Sequence, residues 1–145
     1  MDFFSSMNVS SSALTAERTR MNLISSNLAN ANATRTPEGG PYKRKDAVFA
    51  ATPVESRFNR ALDNATGREV RQVEVSQIIE DQNQPRMQFD PSHPDANPQG
   101  YVAMPNVNVV EEMADMINAT RTYEANVTAV QAAKNMALKT LEISK

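Results

Sequence analysis

Val109-Val110-Glu111-Glu112-Met113-Ala114-Asp115-Met116-Ile117-Asn118-Ala119-Thr120-Arg121-Thr122-Tyr123 opens a run that reaches Lys145 without a glycine or a proline. The run predicts one helix, roughly 50 Å long at about 1.5 Å per residue. Asn108, with Glu111 three residues on, supplies a capping-box start: the Asn side chain accepts a backbone N–H and the Glu reaches back. Val109, Met113, Met116, Thr120, Tyr123, Val127, Val130, Lys134, Ala137 and Leu141 then follow in steps of four and three, a heptad seam interrupted at Lys134 and softened at Thr120. Glu111, Glu112 and Asp115 read as negative charge favoured at a helix N-terminus. A stripe of that length needs a partner of similar length.

The other end of the chain supplies one. Phe3, Met7, Ser10, Leu14, Glu17, Met21, Ile24, Leu28 and Ala31 take the same steps, with Met7, Leu14, Met21 and Leu28 holding one heptad position unbroken. Ser10 and Glu17 narrow the seam. Many Ser and Asn residues compete for backbone groups, so this helix depends on packing for its order. The expected architecture is mainly α with a small β-rich insertion, the two long terminal helices paired antiparallel in a coiled-coil-like manner. With Phe3 level with Leu141, Arg20 falls level with Glu124, and that register alone suggests a contact between them.

Between the helices the character changes. Residues 1–32 form the first helix. Residues 33–46 are a Pro/Gly-rich loop or hairpin holding Pro37, Gly39, Gly40 and Pro41. Residues 47–82 are a small β-rich insertion: Ala47 to Ala51 as one strand, a turn at Asp63-Asn64-Ala65-Thr66-Gly67, then alternation around Val73 and Val75 as a second strand. Residues 83–108 carry Pro85, Pro91, Pro94 and Pro98 and read as an extended linker with a short strand at Met87-Gln88-Phe89. Residues 109–145 are the second helix.

Composition bounds the function. A net charge of −2 gives no case for nucleic acid or an anionic membrane, and no apolar run is long enough to span a bilayer. Without cysteine there is no disulfide framework and no thiolate chemistry. Asp2 and the lack of an apolar h-region speak against a Sec-type leader, so export would take another route. No phosphate loop or nucleophile elbow occurs. His93, between Asp90 and Asp95, is flanked by prolines that splay the three side chains apart, so no metal is expected there. No cofactor and no catalytic residue is expected either. Val110, Ile117, Leu138 and Ile143 lie beside the main stripe of the second helix, and this leftover apolar surface argues for partner chains.

Particular stretches resemble a known family. Ser11-Ser12-Ala13-Leu14, Arg18-Thr19-Arg20-Met21-Asn22 and Ile24-Ser25-Ser26-Asn27-Leu28-Ala29-Asn30-Ala31 resemble the N-terminal signature of bacterial flagellar axial proteins, the rod, hook and hook-associated subunits. Gly39-Gly40-Pro41-Tyr42 and the Asp90-to-Val102 stretch are similar to proximal rod subunits, as is Pro105-Asn106. Arg121-Thr122-Tyr123-Glu124-Ala125-Asn126 is similar to the shared C-terminal motif.

The resemblance implies that the terminal helices form a D0 domain in the inner tube of a helical, hetero-oligomeric assembly. Met7, Leu14, Met21, Ile24, Leu28, Val109, Met113, Met116, Tyr123, Val127, Val130 and Leu141 would then serve subunit packing. It also implies as partners further copies of the chain, other proximal and distal rod subunits, a membrane-side rod adaptor with the MS ring, and the type III export apparatus. The subunit would sit in a basal body crossing the periplasm, exported without a cleavable signal. The charges of Arg35, Lys43, Arg44 and Lys45 would give the loop 33–45 specificity for neighbours. The alternative is a soluble coiled-coil adaptor or export chaperone, which would form a stable dimer in the cytoplasm.

Overall fold

The computed structural model describes residues 3–53 and 71–143. The expected turn at residues 63–67 lies outside them. Two long helices dominate, α1 (Phe3–Ala29) and α2 (Val109–Ile143). Between them come β1 (Lys45–Pro53), β2 (Arg71–Glu80), β3 (Arg86–Phe89) and β4 (Tyr101–Met104). The strands form two separate two-stranded antiparallel sheets, β1 with β2 and β3 with β4. The fold is mainly helical with short antiparallel strands.

α1 packs along α2 on one side and along the β1–β2 hairpin on the other. The hairpin runs from Lys45 opposite Glu80 to Pro53 opposite Arg71, with a register slip between Val48 and Phe49. Such a bulge re-aims side chains and increases twist. Ser12 fastens the hairpin to the helix: its hydroxyl donates to the Val9 carbonyl at 2.8 Å and accepts the Val73 N–H at 3.1 Å. Serine at this place ties a strand to a helix instead of merely weakening the helix. The second hairpin lies inside the stretch expected to be extended. Tyr101–Met104 is a strand there, pairing with Arg86–Phe89.

α2 begins as expected at Asn108, whose side chain accepts the Val110 N–H at 3.1 Å. The reciprocal arm of the capping box does not form among the described hydrogen bonds; Glu111 is exposed and its neighbour Glu112 is buried instead. The inward row of α2 is Glu112, Met116, Ala119, Tyr123, Asn126, Val130, Ala133 and Ala137, each buried or half-buried. Those residues also step by four and three. The expected seam shares with it only Met116, Tyr123, Val130 and Ala137. The other heptad position is displaced by one residue, so Val109, Met113, Thr120, Lys134 and Leu141 are exposed and Val127 is half-buried.

Size explains the displacement. Ala119 and Ala133 are buried in α2, as Ala16 and Ile24 are in α1, and small side chains at such positions let two backbones approach closely, whereas larger ones would hold them apart. The pairing register differs too. Thr120 Oγ1 meets Met21 Sδ at 3.8 Å and Asn27 meets Glu112, which slides α2 by about one helical turn from the expected alignment. Arg20 and Glu124 therefore form no ion pair.

Candidate functional site

One end of the helix pair is closed by a polar cluster built from three segments. Asn27, in the last turns of α1, is 1% exposed and makes four hydrogen bonds, the full capacity of a side-chain amide. Its Oδ1 accepts from the Tyr42 hydroxyl at 2.9 Å and from the Lys45 N–H at 3.0 Å. Its Nδ2 donates to the Lys45 carbonyl at 2.9 Å and to Glu112 Oε2 at 3.0 Å. Toward β1 the amide thus behaves as a strand partner, exchanging both bonds with one residue.

Glu112 enters from the first turn of α2, also 1% exposed. Its second oxygen accepts from Arg44 Nε at 2.6 Å, and Arg44 Nη1 donates to Asp46 Oδ2 at 3.1 Å. Burial opposes the guanidinium charge, but the hydrogen bonds and charges of Glu112 and Asp46 outweigh it and raise the Arg44 pKa. The buried carboxylate is paired and hydrogen-bonded on both oxygens, the condition under which a buried charge is tolerated. Glu112 keeps its expected place in the first turn of α2 while its carboxylate pairs inward, and Arg44 is engaged within the chain by Glu112 and Asp46. Lys45 pairs with Glu80 at 3.4 Å, which leaves Arg35 and Lys43 as exposed loop cations.

The loop between these groups turns on glycine. Gly39 and Gly40 have φ of +91° and +80°, a region that residues with a Cβ avoid. The Thr36 N–H reaches the Gly40 carbonyl at 2.9 Å and the Tyr42 N–H reaches the Ala33 carbonyl at 3.0 Å, delivering Pro41 and Tyr42 back to Asn27. Asn30 caps its own helix, its Nδ2 on the Ser26 carbonyl at 2.8 Å. Pro105 is buried where the chain enters α2, and Asn106 reaches Asp81 at 3.3 Å. Of the remaining motif residues, Asn22, Arg121 and Glu124 are exposed. Arg20, Leu28 and Tyr123 are half-buried, and Asn126 back-bonds to the Thr122 carbonyl at 3.0 Å.

The Asp90, His93 and Asp95 side chains each take a different hydrogen-bond donor. The Ser92 hydroxyl and N–H hold the Asp90 carboxyl below its ordinary pKa. His93 Nδ1 accepts the Asp95 N–H at 3.1 Å, and Thr34 donates to Asp95 Oδ2 at 2.8 Å. The three make a folded loop. No group of three or more possible metal ligands occurs among the described residues.

The second feature is the outer surface of α2. Val110, Met113 and Ile117 are 75%, 54% and 54% exposed, and Leu138 and Leu141 repeat the first two positions further along the helix. On α1, Met7, Leu14, Met21 and Leu28 are half-buried and Ile24 is buried. Among the described residues nothing converges on a reacting atom. The arrangement is a fixed junction and two open apolar patches, one toward each end of α2, which is the equipment of a packing unit.

Comparison with known proteins places that unit. Residues 7–35 match the family model described as flagella basal body rod protein, and residues 99–143 match the C-terminal model of flagellar basal body rod FlgEFG proteins. Flagellar basal-body rod protein FlgC of Bacillus subtilis is 47% identical over 152 residues, covering 100% of both chains. The chain belongs to the FlgC family of flagellar basal-body rod proteins. FlgC of Borreliella burgdorferi is 44% identical, covering 99% of this chain and 98% of its own. FlgC of Escherichia coli O157:H7 is 41% identical over 94% of each. The family is one of structural rod subunits, not of enzymes. Its two models fall on the two helices and their entries, and so take in Asn27 and Glu112 together.

Proposed function

We propose that this chain packs as one of several rod subunits into a helical drive shaft at the proximal end of the flagellar rod. Residues 1–32 and 109–145 act there as a coiled-coil-like D0 pair, and residues 47–82 are carried outward. The single observation supporting this is the apolar face of α2 that lies outside the intramolecular seam. Heterologous contacts of this kind propagate into a helix instead of closing.

The remaining partners follow from this reading. Further copies of the chain and other proximal and distal rod subunits cover the helices. The membrane-side adaptor and MS ring meet the base, with Arg35 and Lys43 on the loop available for contacts. A seam rich in alanine buries little area per residue, which suits passage in unfolded form through the type III export apparatus without a cleavable signal, toward a rod that crosses the periplasm. The test is mass spectrometry on detergent-purified hook–basal bodies of the source bacterium. The expected result is this chain at several copies per particle. Recovery only as a soluble helical dimer would replace the rod subunit with an adaptor or chaperone.

A further inference from the structure

A cleft of about 380 Å³ opens where α1 ends and α2 begins, lined by residues 31–32, by Arg86 and by residues 105–109. Its floor is apolar: Ala31 and Val107 are 6% and 8% exposed, and Pro105 is buried. Its rim supplies donors. Arg86 opens β3 on the same face of the ladder as the buried Val102, since opposed residues of an antiparallel pair share a face. Arg86 and the Asn32 amide are exposed and engage no partner among the described residues. The cleft is therefore apolar at the bottom and rich in unused hydrogen-bond donors at the mouth.

The far end of the same helix is its chemical complement. The last four carbonyls of a helix have no partner within it, and the last turn of α2 holds no basic residue to satisfy them. Leu138 and Leu141 are 50% and 67% exposed there, with Glu142 exposed beside them. Other acids that end an element next to exposed apolar residues are already taken: Glu80 pairs with Lys45, and Asp90 accepts from Ser92. The charges match in sign as well. The tail carries Glu142 with Lys139 one turn before it, and the head carries Arg86 with Glu111 in the first turn of α2. None of these four has an ion pair among the described residues.

We infer that the last turn of a second copy's α2 docks in this cleft, with Leu141 on the floor, Glu142 toward Arg86 and Lys139 toward Glu111, an inference that rests on the rod reading above. The acceptors of a helix end meet the unused donors of the rim, and each charge meets its opposite. Cleft and tail lie at the two ends of a helix of 35 residues, about 50 Å apart, so no chain docks on itself. Two copies joined this way leave one cleft and one tail open. The contact is head-to-tail and extends without closing. One helix end covers less than the roughly 800 Å² per partner of a stable pair, so the contact operates where lateral seams already hold copies together.

The absence of native cysteine permits a direct test. Two differently tagged full-length copies, one Asn32→Cys and one Leu141→Cys, are co-expressed in the source bacterium, and hook–basal bodies are purified and oxidised. The expected result is a mixed-tag disulfide dimer at twice the 16.0 kDa chain mass, absent when either variant is expressed alone. Val109→Cys with Leu138→Cys serves as the second geometry, because a disulfide requires Cα atoms within about 7 Å. Arg86→Glu and Glu142→Arg, both at exposed positions, should each lower recovery of the chain in the particles severalfold, and one chain carrying both should restore it. A dimer from Leu141→Cys alone would mean that tail meets tail and would overturn the inference. Absence of a mixed dimer from both pairs, with the chains present in the particles, would overturn it and leave the rod reading standing. Failure of the combined charge reversal to restore recovery would do the same, assigning the cleft to a different chain. Absence of the unaltered chain from the particles would remove both.

Discussion

Asn27 and Glu112 show how two buried polar residues settle the geometry of a pair of apolar helices. An apolar seam can slide by a heptad at modest cost, whereas a buried amide and carboxylate are satisfied in one alignment only. Removing one member leaves the others buried and unpaired. Glu112→Ala should lower stability by about 2–4 kcal/mol, the lower part of that range reflecting partial solvent access. The Arg44 side chain retains that access, at 28% exposed. Glu112→Gln should cost less, since it keeps an acceptor for Asn27 or Arg44. Urea unfolding of the purified chain checks the order, with the slope unchanged. The Asn-Leu-Ala-Asn motif made Asn27 legible in the sequence through family resemblance. Glu112 was not, because a carboxylate in the first turn of a helix is ordinarily a solvated one. The partners of Arg44 were hidden for the same reason: a basic run in a loop gives no sign of which member turns inward.

At the scale of the element, the two helices and their antiparallel pairing were legible from the periodicity, and β1 to β3 from alternation and turn residues. Half of the α2 seam was not. Its row at Glu112, Ala119, Asn126 and Ala133 is small or polar, so a reading that seeks large apolar residues settles one position away, on Met113, Thr120, Val127 and Lys134. Strand β4 was missed because its partner lies across a proline-rich turn, and no local pattern in Tyr-Val-Ala-Met announces the pairing. The small row makes a prediction. Ala119→Leu adds bulk where Ala119 is 1% exposed, and should destabilise the pair by about 1–3 kcal/mol despite the higher hydrophobicity. Loss of helical circular dichroism at a lower temperature than in the unaltered chain is the readout. Equal or greater stability would show that the backbones are not in close approach.

For the whole molecule, folding and assembly use different surfaces of the same helix. Val110 is 75% exposed, so Val110→Asp should leave the isolated chain's circular dichroism within about 0.5 kcal/mol of normal, as for most surface changes. The same change should strongly reduce incorporation into basal bodies, and with it motility. Leu28→Asp, at a half-buried position of α1, should impair both. Comparing the two by motility assay and by recovery from purified particles separates the surfaces. Normal motility with Val110→Asp would mean that the outer stripe is not covered in the rod.

The polar cluster lies at one end of the helix pair, and the helix ends at Phe3 and Ile143 lie roughly 35–45 Å away along the helix axes. A pair of prongs clamped at its base bends most at its tips. The tines of this fork are restrained along their length by side chains of mixed size and no further buried ion pair among the described residues, so an isolated subunit is stiff near the clamp and compliant at the far end. Rigidity under twisting load then has to be contributed by the neighbours that close over the tines. Stiffness becomes a property of the filled lattice, and a vacant position would soften the shaft around it.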